Sequence, residues 1–279
     1  MSDILKIPGP TWFAGCGNMG GAIIEGWRVA GLDLGPITVI RPSGRPVEGV
    51  RTITSFAEGG SPPKLLILAF KPQKLDDIAP GLRRYLSGNT VVVSLLAGVE
   101  VVSLRERFPG AGAIIRATPN LPVAVRRGVS GLYSADASDA VRDEVGNLFS
   151  ALGFAMWMTD EARLGALGAV AGAGPAYVAR FIAALAKAGE KRGLGPEIAE
   201  IIARETVLGT GWMASGGEGM DSIARRVASP NGTTEAGLAV LDRALDELVD
   251  VTIAAAARRG SELAIEARSD PLAESTRLH

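Results

Sequence analysis

In the first half of the chain, short unbroken apolar runs alternate with stretches in which apolar residues recur every three or four positions. The runs are TWFAG (Thr11–Gly15), ITVI (Ile37–Ile40), LLILAF (Leu65–Phe70), TVVVSLL (Thr90–Leu96) and GAIIRAT (Gly112–Thr118). Strands apolar on both faces belong in a parallel sheet covered by helices on either side. The alternation therefore predicts a doubly wound α/β domain. GGAIIEGWRVAG (Gly20–Gly31) reads as a helix with a glycine stop. GVSGLY (Gly128–Tyr133) and FAMWM (Phe154–Met158) read as further strands toward an edge. From Thr159 onward alanine and leucine recur at helical spacing and no strand candidate appears. The spacing predicts helices over Glu161–Val170, Pro175–Arg192, Pro196–Ser215, Ser222–Val227, Thr233–Leu245 and Glu247–Ala267, with a polar tail from Arg268. These readings divide the chain near 158–160, into residues 1–158 and 159–279.

Composition narrows the chemistry. The 279 residues are 47% hydrophobic, enough for a sizeable core. Basic and acidic side chains number 29 and 30, so charge favours neither nucleic acid nor an anionic membrane as partner. The start has no signal-peptide pattern, and no apolar run long enough to span a bilayer is expected, the longest being VTIAAAA (Val251–Ala257). Cys16 is the only cysteine, which excludes an intrachain disulfide and suits a reducing, cytoplasmic setting. The only histidine is His279. That excludes metal clusters of the His/Cys type and any Ser-His-Asp or Cys-His machine. Chemistry must come from a cofactor, hydroxyls, carboxylates, lysines or backbone groups.

Several motifs sit where such chemistry would be placed. FAGCGNMGGAI sets Gly15, Gly17 and Gly20 as G-x-G-x-x-G, with Asn18 and Met19 between the last two, directly after a strand and opening a helix. Glycines there let backbone approach a pyrophosphate, and the helix N-terminus offers free N–H groups; the alternative is a tight structural turn. Some twenty residues on, where an NAD site places a carboxylate, the chain has Arg41, Ser43 and Arg45. Guanidinium and hydroxyl groups would bind a 2′-phosphate that a carboxylate would repel, which favours NADPH over NADH; otherwise the arginines are solvated surface. AFKPQ brings Ala69, Phe70, Lys71 and Pro72 to the end of another strand. Lys71 there could contact cofactor, act in catalysis or be an ordinary loop lysine. SLLAGV with Ala97 and ATPNLP with Asn120 also follow strands, the alternative for both being ordinary turn chemistry. AGAGPAYVARF opens the longest helix, with Pro175 suited to a first turn. In VASPNGTTEAG, a turn of Ser229, Pro230, Asn231 and Gly232 precedes Thr233 and Thr234 at a helix start. Its free N–H groups would hold a carboxylate. The alternative is that Thr233 is merely an N-cap.

Together, GCGNMG, FKP, LLAGV, TPNLP, GAGPAY and SPNGTT, in this order from about Thr11 to Ala267, resemble the pyrroline-5-carboxylate reductase family. The resemblance implies an N-terminal Rossmann domain and a C-terminal all-helical domain that pairs chains into homodimers, often five dimers to a decamer. It implies that Gly15–Gly20 hold pyrophosphate, and that Arg41, Ser43 and Arg45 surround the adenosine phosphate. Ala69, Lys71, Pro72 and Ala97 would line the dinucleotide. Ser229 to Thr234 would hold the carboxylate of a small cyclic imine, with Thr234 near the imine nitrogen and Glu218 on a water-relayed proton path. The implied activity is NADPH-dependent reduction of 1-pyrroline-5-carboxylate to proline, which needs no metal or activated nucleophile. Ala173 stands where the family has serine and Asn231 where it has glycine; these departures leave open a reductase of another cyclic imine carboxylate. Two other readings are a β-hydroxyacid dehydrogenase using Lys187 or Lys191, and a dinucleotide sensor without turnover.

Overall fold

The computed structural model describes residues 5–268. The chain divides into two compact units: one holds the chain through Ala173 together with the last helix from Ala256 on, and the other is Gly174–Ala255.

The first unit is built on one eight-stranded sheet. Its strands are β1 (Thr11–Ala14), β2 (Ile37–Ile40), β3 (Arg51–Ile53), β4 (Leu65–Leu68), β5 (Val91–Ser94), β6 (Ala113–Pro119), β7 (Gly128–Tyr133) and β8 (Gly153–Trp157). The spatial order is β3-β2-β1-β4-β5-β6-β7-β8. From β3 to β6 every pair is parallel. β6 and β7 are antiparallel, and β8 then runs parallel to β7. The first six strands thus have the doubly wound order of a Rossmann sheet, whose direction of winding reverses between β1 and β4.

The unbroken apolar strands supply two cores at once. In β1, Phe13 packs with Ile23, Trp27, Val39 and Ile67 on one face. Trp12 and Ala14 pack with Leu66, Leu68, Leu82 and Leu104 on the other. The first face is covered by α1 (Asn18–Val29) and α4 (Asp139–Ser150), and the indole N–H of Trp27 donates to Leu148 O across them at 2.9 Å. The second face is covered by α2 (Leu75–Arg83) and α3 (Val101–Arg107). The chain leaves β6 through a 3-10 turn, Leu121–Val125, that crosses α1 so closely that a β-carbon on Gly26 would lie 2.2 Å from Val123 O.

Helices α2, α3 and α4 and strand β3 had no counterpart in the pattern reading. Pro80 lies inside α2, α3 is only seven residues long, β3 is three residues with an exposed first position, and α4 buries only Val145, Leu148 and Phe149 of its twelve residues, so none shows a long apolar pattern. The strand-to-helix change near 158–160 matches the end of β8, but the compact units part after Ala173. Between the two points lie α5 (Arg163–Leu167) and a π-helical turn, Gly168–Gly172, whose Leu164 and Ala169 are buried.

The second unit holds α6 (Gly174–Glu190), α7 (Pro196–Ala214), α8 (Met220–Val227), α9 (Thr233–Leu241) and the first part of α10 (Leu245–Arg268). Its buried core is small: Ala186 of α6 against Ala199 and Ala203 of α7. Large apolar side chains are left exposed, and a groove of about 610 Å³ is lined by Tyr177, Phe181, Leu185, Val207 and Met220 among others. The helical stretch Arg163–Glu190 is long and apolar enough to cross a membrane by length and composition. That corrects the expectation of no such run: glycine and alanine interrupt the larger apolar residues, so no single apolar block marks it. The polar tail beyond Arg268 and His279 lie outside the described residues.

A network below the sheet ties α3 to β6. Asp136 accepts from Ile114 N–H at 3.1 Å and from Ser134 Oγ at 3.1 Å, and it pairs with Arg105. Burial pushes this carboxyl up, but the Ile114 N–H and the Arg105 guanidinium outweigh it and hold it below the ordinary aspartate value. A lowered folded-state value stabilises above the ordinary aspartate range, and that stabilisation disappears as pH falls through the folded value. Asp136→Ala is expected to cost about 1–2 kcal/mol at neutral pH, less than a fully buried network because the side chain is part-exposed. Urea unfolding at neutral and acidic pH should show the difference between variant and parent shrinking in acid.

Candidate active site

Register places the loops of the first unit together. Ala14 aligns with Ile40 and Leu68, Leu68 with Ser94, and Ser94 with Arg116. The segments beginning at Gly15, Arg41, Ala69 and Leu95 therefore leave the same edge of the sheet, at the carboxyl ends of parallel strands, where open α/β sheets bind ligands. The winding reversal between β1 and β4 opens the crevice between Gly15 and Ala69.

Gly15 is required there on two counts. Its φ is +80°, and a β-carbon would lie 2.9 Å from Ala69 O. Gly17 has open space where its β-carbon would be, and it precedes α1 without any side chain capping that helix. The first N–H groups of α1, from Asn18, Met19 and Gly20, thus face a free approach, the arrangement that binds phosphate at a helix start. These residues fit a dinucleotide pyrophosphate.

At the end of β2, Arg41 Nε donates to Ser43 Oγ at 3.0 Å and Arg45 N–H reaches the same oxygen at 3.4 Å. The Arg41 guanidinium and the Ser43 hydroxyl are thus held together, and the Arg45 backbone closes the turn on the same oxygen. Burial pushes the Cys16 thiol up while the Arg41 charge pulls it down, so the Arg41 charge acts on the glycine turn. Beside the turn lies a cavity of about 350 Å³, lined by Gly15, Pro42, Ser55, Phe56, Phe70 and Arg84 among others. Thr54, Ser55 and Phe56 escaped the sequence reading because β3 did, and Arg84 because it ends α2. The signal was the spacing S-x-x-E: Glu58 accepts from Ser55 N–H and Ser55 Oγ in a capping box.

Phe70 lines this cavity, Ala69 is half-buried, and Lys71 is exposed before the 3-10 turn Pro72–Lys74. Ala97 is exposed on the loop between β5 and α3. Asn120 is instead buried, with both ends of its amide engaged: Nδ2 donates to Ala171 O at 2.9 Å and Oδ1 accepts from Val129 N–H at 2.8 Å. It ties the end of β6 to the π-helical turn.

In the second unit, the residue at the N-cap position of α9 is Gly232, not Thr233. Among the described residues, the hydroxyls of Thr233 and Thr234 have no hydrogen-bond partner. Asn231 has φ +57°, and its N–H donates to Glu235 Oε2 at 2.6 Å. Gly232 N–H donates to Ser229 O at 2.9 Å and closes the turn. Glu218 lies ahead of α8; one oxygen accepts from Ser222 Oγ at 2.8 Å and the other pairs with Arg226 at 3.0 Å. Lys187 and Lys191 are exposed near the polar end of α6.

Sheet order, glycine turn and arginine loop define a Rossmann-type dinucleotide-binding protein joined to a helical unit. Residues 161–263 match the pyrroline-5-carboxylate reductase dimerisation family. The chain is 36% identical over 264 residues to the pyrroline-5-carboxylate reductase of Pseudomonas aeruginosa, covering 90% of this chain and 96% of that protein. It is 32% identical to pyrroline-5-carboxylate reductase 2 of Bacillus subtilis, covering 90% and 94%. The solved pyrroline-5-carboxylate reductase of Coxiella burnetii matches with a TM-score of 0.83 at 30% identity, over 92% of this chain and 99% of that one. The pyrroline carboxylate reductase of Plasmodium falciparum, solved with NADP bound, shares the fold with a TM-score of 0.83 at 23% identity, over 94% and 99%. The chain belongs to the pyrroline-5-carboxylate reductase family.

The left-handed backbone at Asn231 accounts for the substitution there, because asparagine and glycine are the residues that adopt it at least cost. Asn231→Gly should leave thermal stability within about 0.5 kcal/mol of the parent. Asn231→Val, branched at the β-carbon, should lose about 1–2 kcal/mol. Paired unfolding curves check both.

Proposed function

We propose that this protein uses NADPH to reduce 1-pyrroline-5-carboxylate to L-proline, the last step of proline biosynthesis. Family membership over nine-tenths of the chain carries this reading, and the residue inventory supports it. A protonated cyclic imine accepts hydride at its ring carbon while the π electron pair moves to nitrogen, so the protein needs neither metal nor covalent nucleophile. The reduced nicotinamide supplies the hydride when bound. The chain's own residues bind, orient and deliver a proton.

The glycine turn and the start of α1 hold pyrophosphate, and Arg41, Ser43 and Arg45 select the 2′-phosphate of NADPH over NADH. Ala69, Phe70, Lys71, Pro72 and Ala97 line the dinucleotide, while Asn120 steadies the loop that carries it. In the second unit, Ser229, Asn231, Gly232, Thr233 and the start of α9 hold the substrate carboxylate. Thr234, whose hydroxyl is free of protein partners among the described residues, supplies the hydrogen bond to the imine nitrogen. Glu218 holds Ser222 in the first turn of α8 and Arg226 in its last; a proton relay through it requires water to displace one of them. The exposed apolar side chains of the second unit form the face on which chains pair as homodimers, and five such dimers would make a decamer. This reading places the protein in the cytoplasm. Because the αL backbone explains Asn231, that departure gives no reason to prefer a different imine.

The test is NADPH oxidation by purified protein with racemic 1-pyrroline-5-carboxylate, beside a six-ring imine carboxylate. Turnover of the five-ring imine that Thr234→Ala lowers by roughly tenfold or more in kcat is expected; silence on that substrate would sink the reading. Removing both guanidinium groups, in Arg41→Ala with Arg45→Ala, should raise KM for NADPH about tenfold or more and leave KM for NADH nearly unchanged.

A further inference from the structure

The loop Leu95–Glu100 joins β5 to α3. Its residues are small or aliphatic, and Glu100, at the N-cap position of α3, makes no side-chain cap. Yet it is pinned from outside at three places. At its start, Leu96 N–H donates to Ser94 Oγ at 3.2 Å. In its middle, Gly98 has φ +77°, and a β-carbon there would lie 2.9 Å from Ala264 N, so the backbone of α10 runs directly against it. At its end, Val101 N–H donates to Glu161 Oε1 at 2.8 Å, from sixty residues away.

The same Glu161 oxygen accepts from Arg116 Nη1 at 2.7 Å. The two side chains are only 13% and 22% exposed. Arg116 lies on β6, in register with Ser94, the last residue of β5. One carboxylate oxygen therefore joins the strand beside the loop's origin to the N–H at the loop's end. A pair this dry is costly to break from one side, because the remaining charge loses its partner without regaining water. Among the described residues, the hydrogen bonds of this pair run to Val101 and to each other, none to the glycine turn or the arginine loop.

We propose that Arg116 and Glu161 are positioning residues that hold the loop Leu95–Glu100 against the nicotinamide end of the dinucleotide, leaving the adenosine end untouched. This rests on the reading above that Ala97 lines the dinucleotide; its loop follows β5, on the other side of β1 from the arginine loop that follows β2, which is the side left for the nicotinamide. The two ends separate in experiment, because adenosine 2′,5′-bisphosphate carries only the phosphates and base that the glycine turn and arginine loop would bind.

Affinities for NADPH and for adenosine 2′,5′-bisphosphate are measured on the parent, Glu161→Ala, Glu161→Gln and Arg116→Lys, by calorimetry without imine. Glu161→Ala should weaken NADPH roughly tenfold and leave the bisphosphate within about twofold. Glu161→Gln keeps an oxygen for Val101 N–H and should recover most of the loss. With imine present, Glu161→Ala should lower kcat more than it raises KM for the imine, and the isotope effect with 4-deuterated NADPH should rise as hydride transfer becomes slower. Equal weakening of both ligands would mean a general structural role and overturn the proposal, as would no change in either. Should Glu161→Ala fail to fold, Arg116→Lys carries the same comparison, with NADPH weakened and the bisphosphate unchanged as the expected result. A parent that binds NADPH but reduces no imine would defeat the reductase reading and leave the binding comparison standing. A parent that does not bind NADPH overturns both.

Discussion

The dinucleotide end of this protein depends on one close approach. β1 and β4 lie side by side, their connections leave to opposite faces, and Gly15 and Ala69 meet where they part. A β-carbon at residue 15 would press on the Ala69 carbonyl, so the crevice exists only because that atom is missing. The start of α1, the arginine loop after β2 and the loop after β5 are all placed relative to this point by a parallel register that carries Ala14, Ile40, Leu68 and Ser94 along one line. The apolar strands make the register rigid, since each is buried on both faces and a slip of one residue would exchange the two cores.

The second unit obeys a different constraint. Its buried apolar residues are three alanines, with Ile182 beside them, and Ile223 of α8, too little to account for helices of this length by themselves. Its apolar residues are instead turned outward, with Phe181 and Leu208 each 50% exposed. A surface of that kind needs a partner surface, and the match to a dimerisation family supplies the type of partner. The same composition lets the stretch Arg163–Glu190 pass as a membrane span. Alternating glycine and alanine with larger residues suits close helix packing in either medium.

Strands buried on both faces could be read from the chain, because short apolar runs rich in β-branched residues, closely followed by glycine or proline, favour a buried strand over a helix. β2 and β7 have the bounds that the pattern assigned. Elements whose stability comes from their neighbours were hidden: β3 is held by β2, and α3 by the caps and strand around it. The glycine turn was legible because a φ of +80° and a bare helix start demand a recognisable residue. The role of Asn120 was not, since a buried amide shared between Ala171 O and Val129 N–H has no local signature. Glu161 was equally silent, being one acidic residue in a polar turn whose partners lie far away in sequence. Two hydroxyls after the turn drew attention to Thr233 and Thr234, but only the family resemblance set Thr234 near the imine nitrogen.

The 3-10 turn that leads from β6 into β7 crosses α1 at Gly26. Glycine inside a helix weakens it by about 1 kcal/mol relative to alanine, so its presence there is the imprint of topology rather than of ligand. The chain could reverse direction at β7 and still cover α1 only by shaving that helix to bare backbone. Anyone scanning such sequences for cofactor glycines therefore meets two populations in the same twenty residues. Gly17 leaves the start of α1 open to an approaching group, on a turn that Gly15 lets close against Ala69. Gly26 makes way for the protein itself, and it would persist in a descendant that had given up dinucleotides altogether.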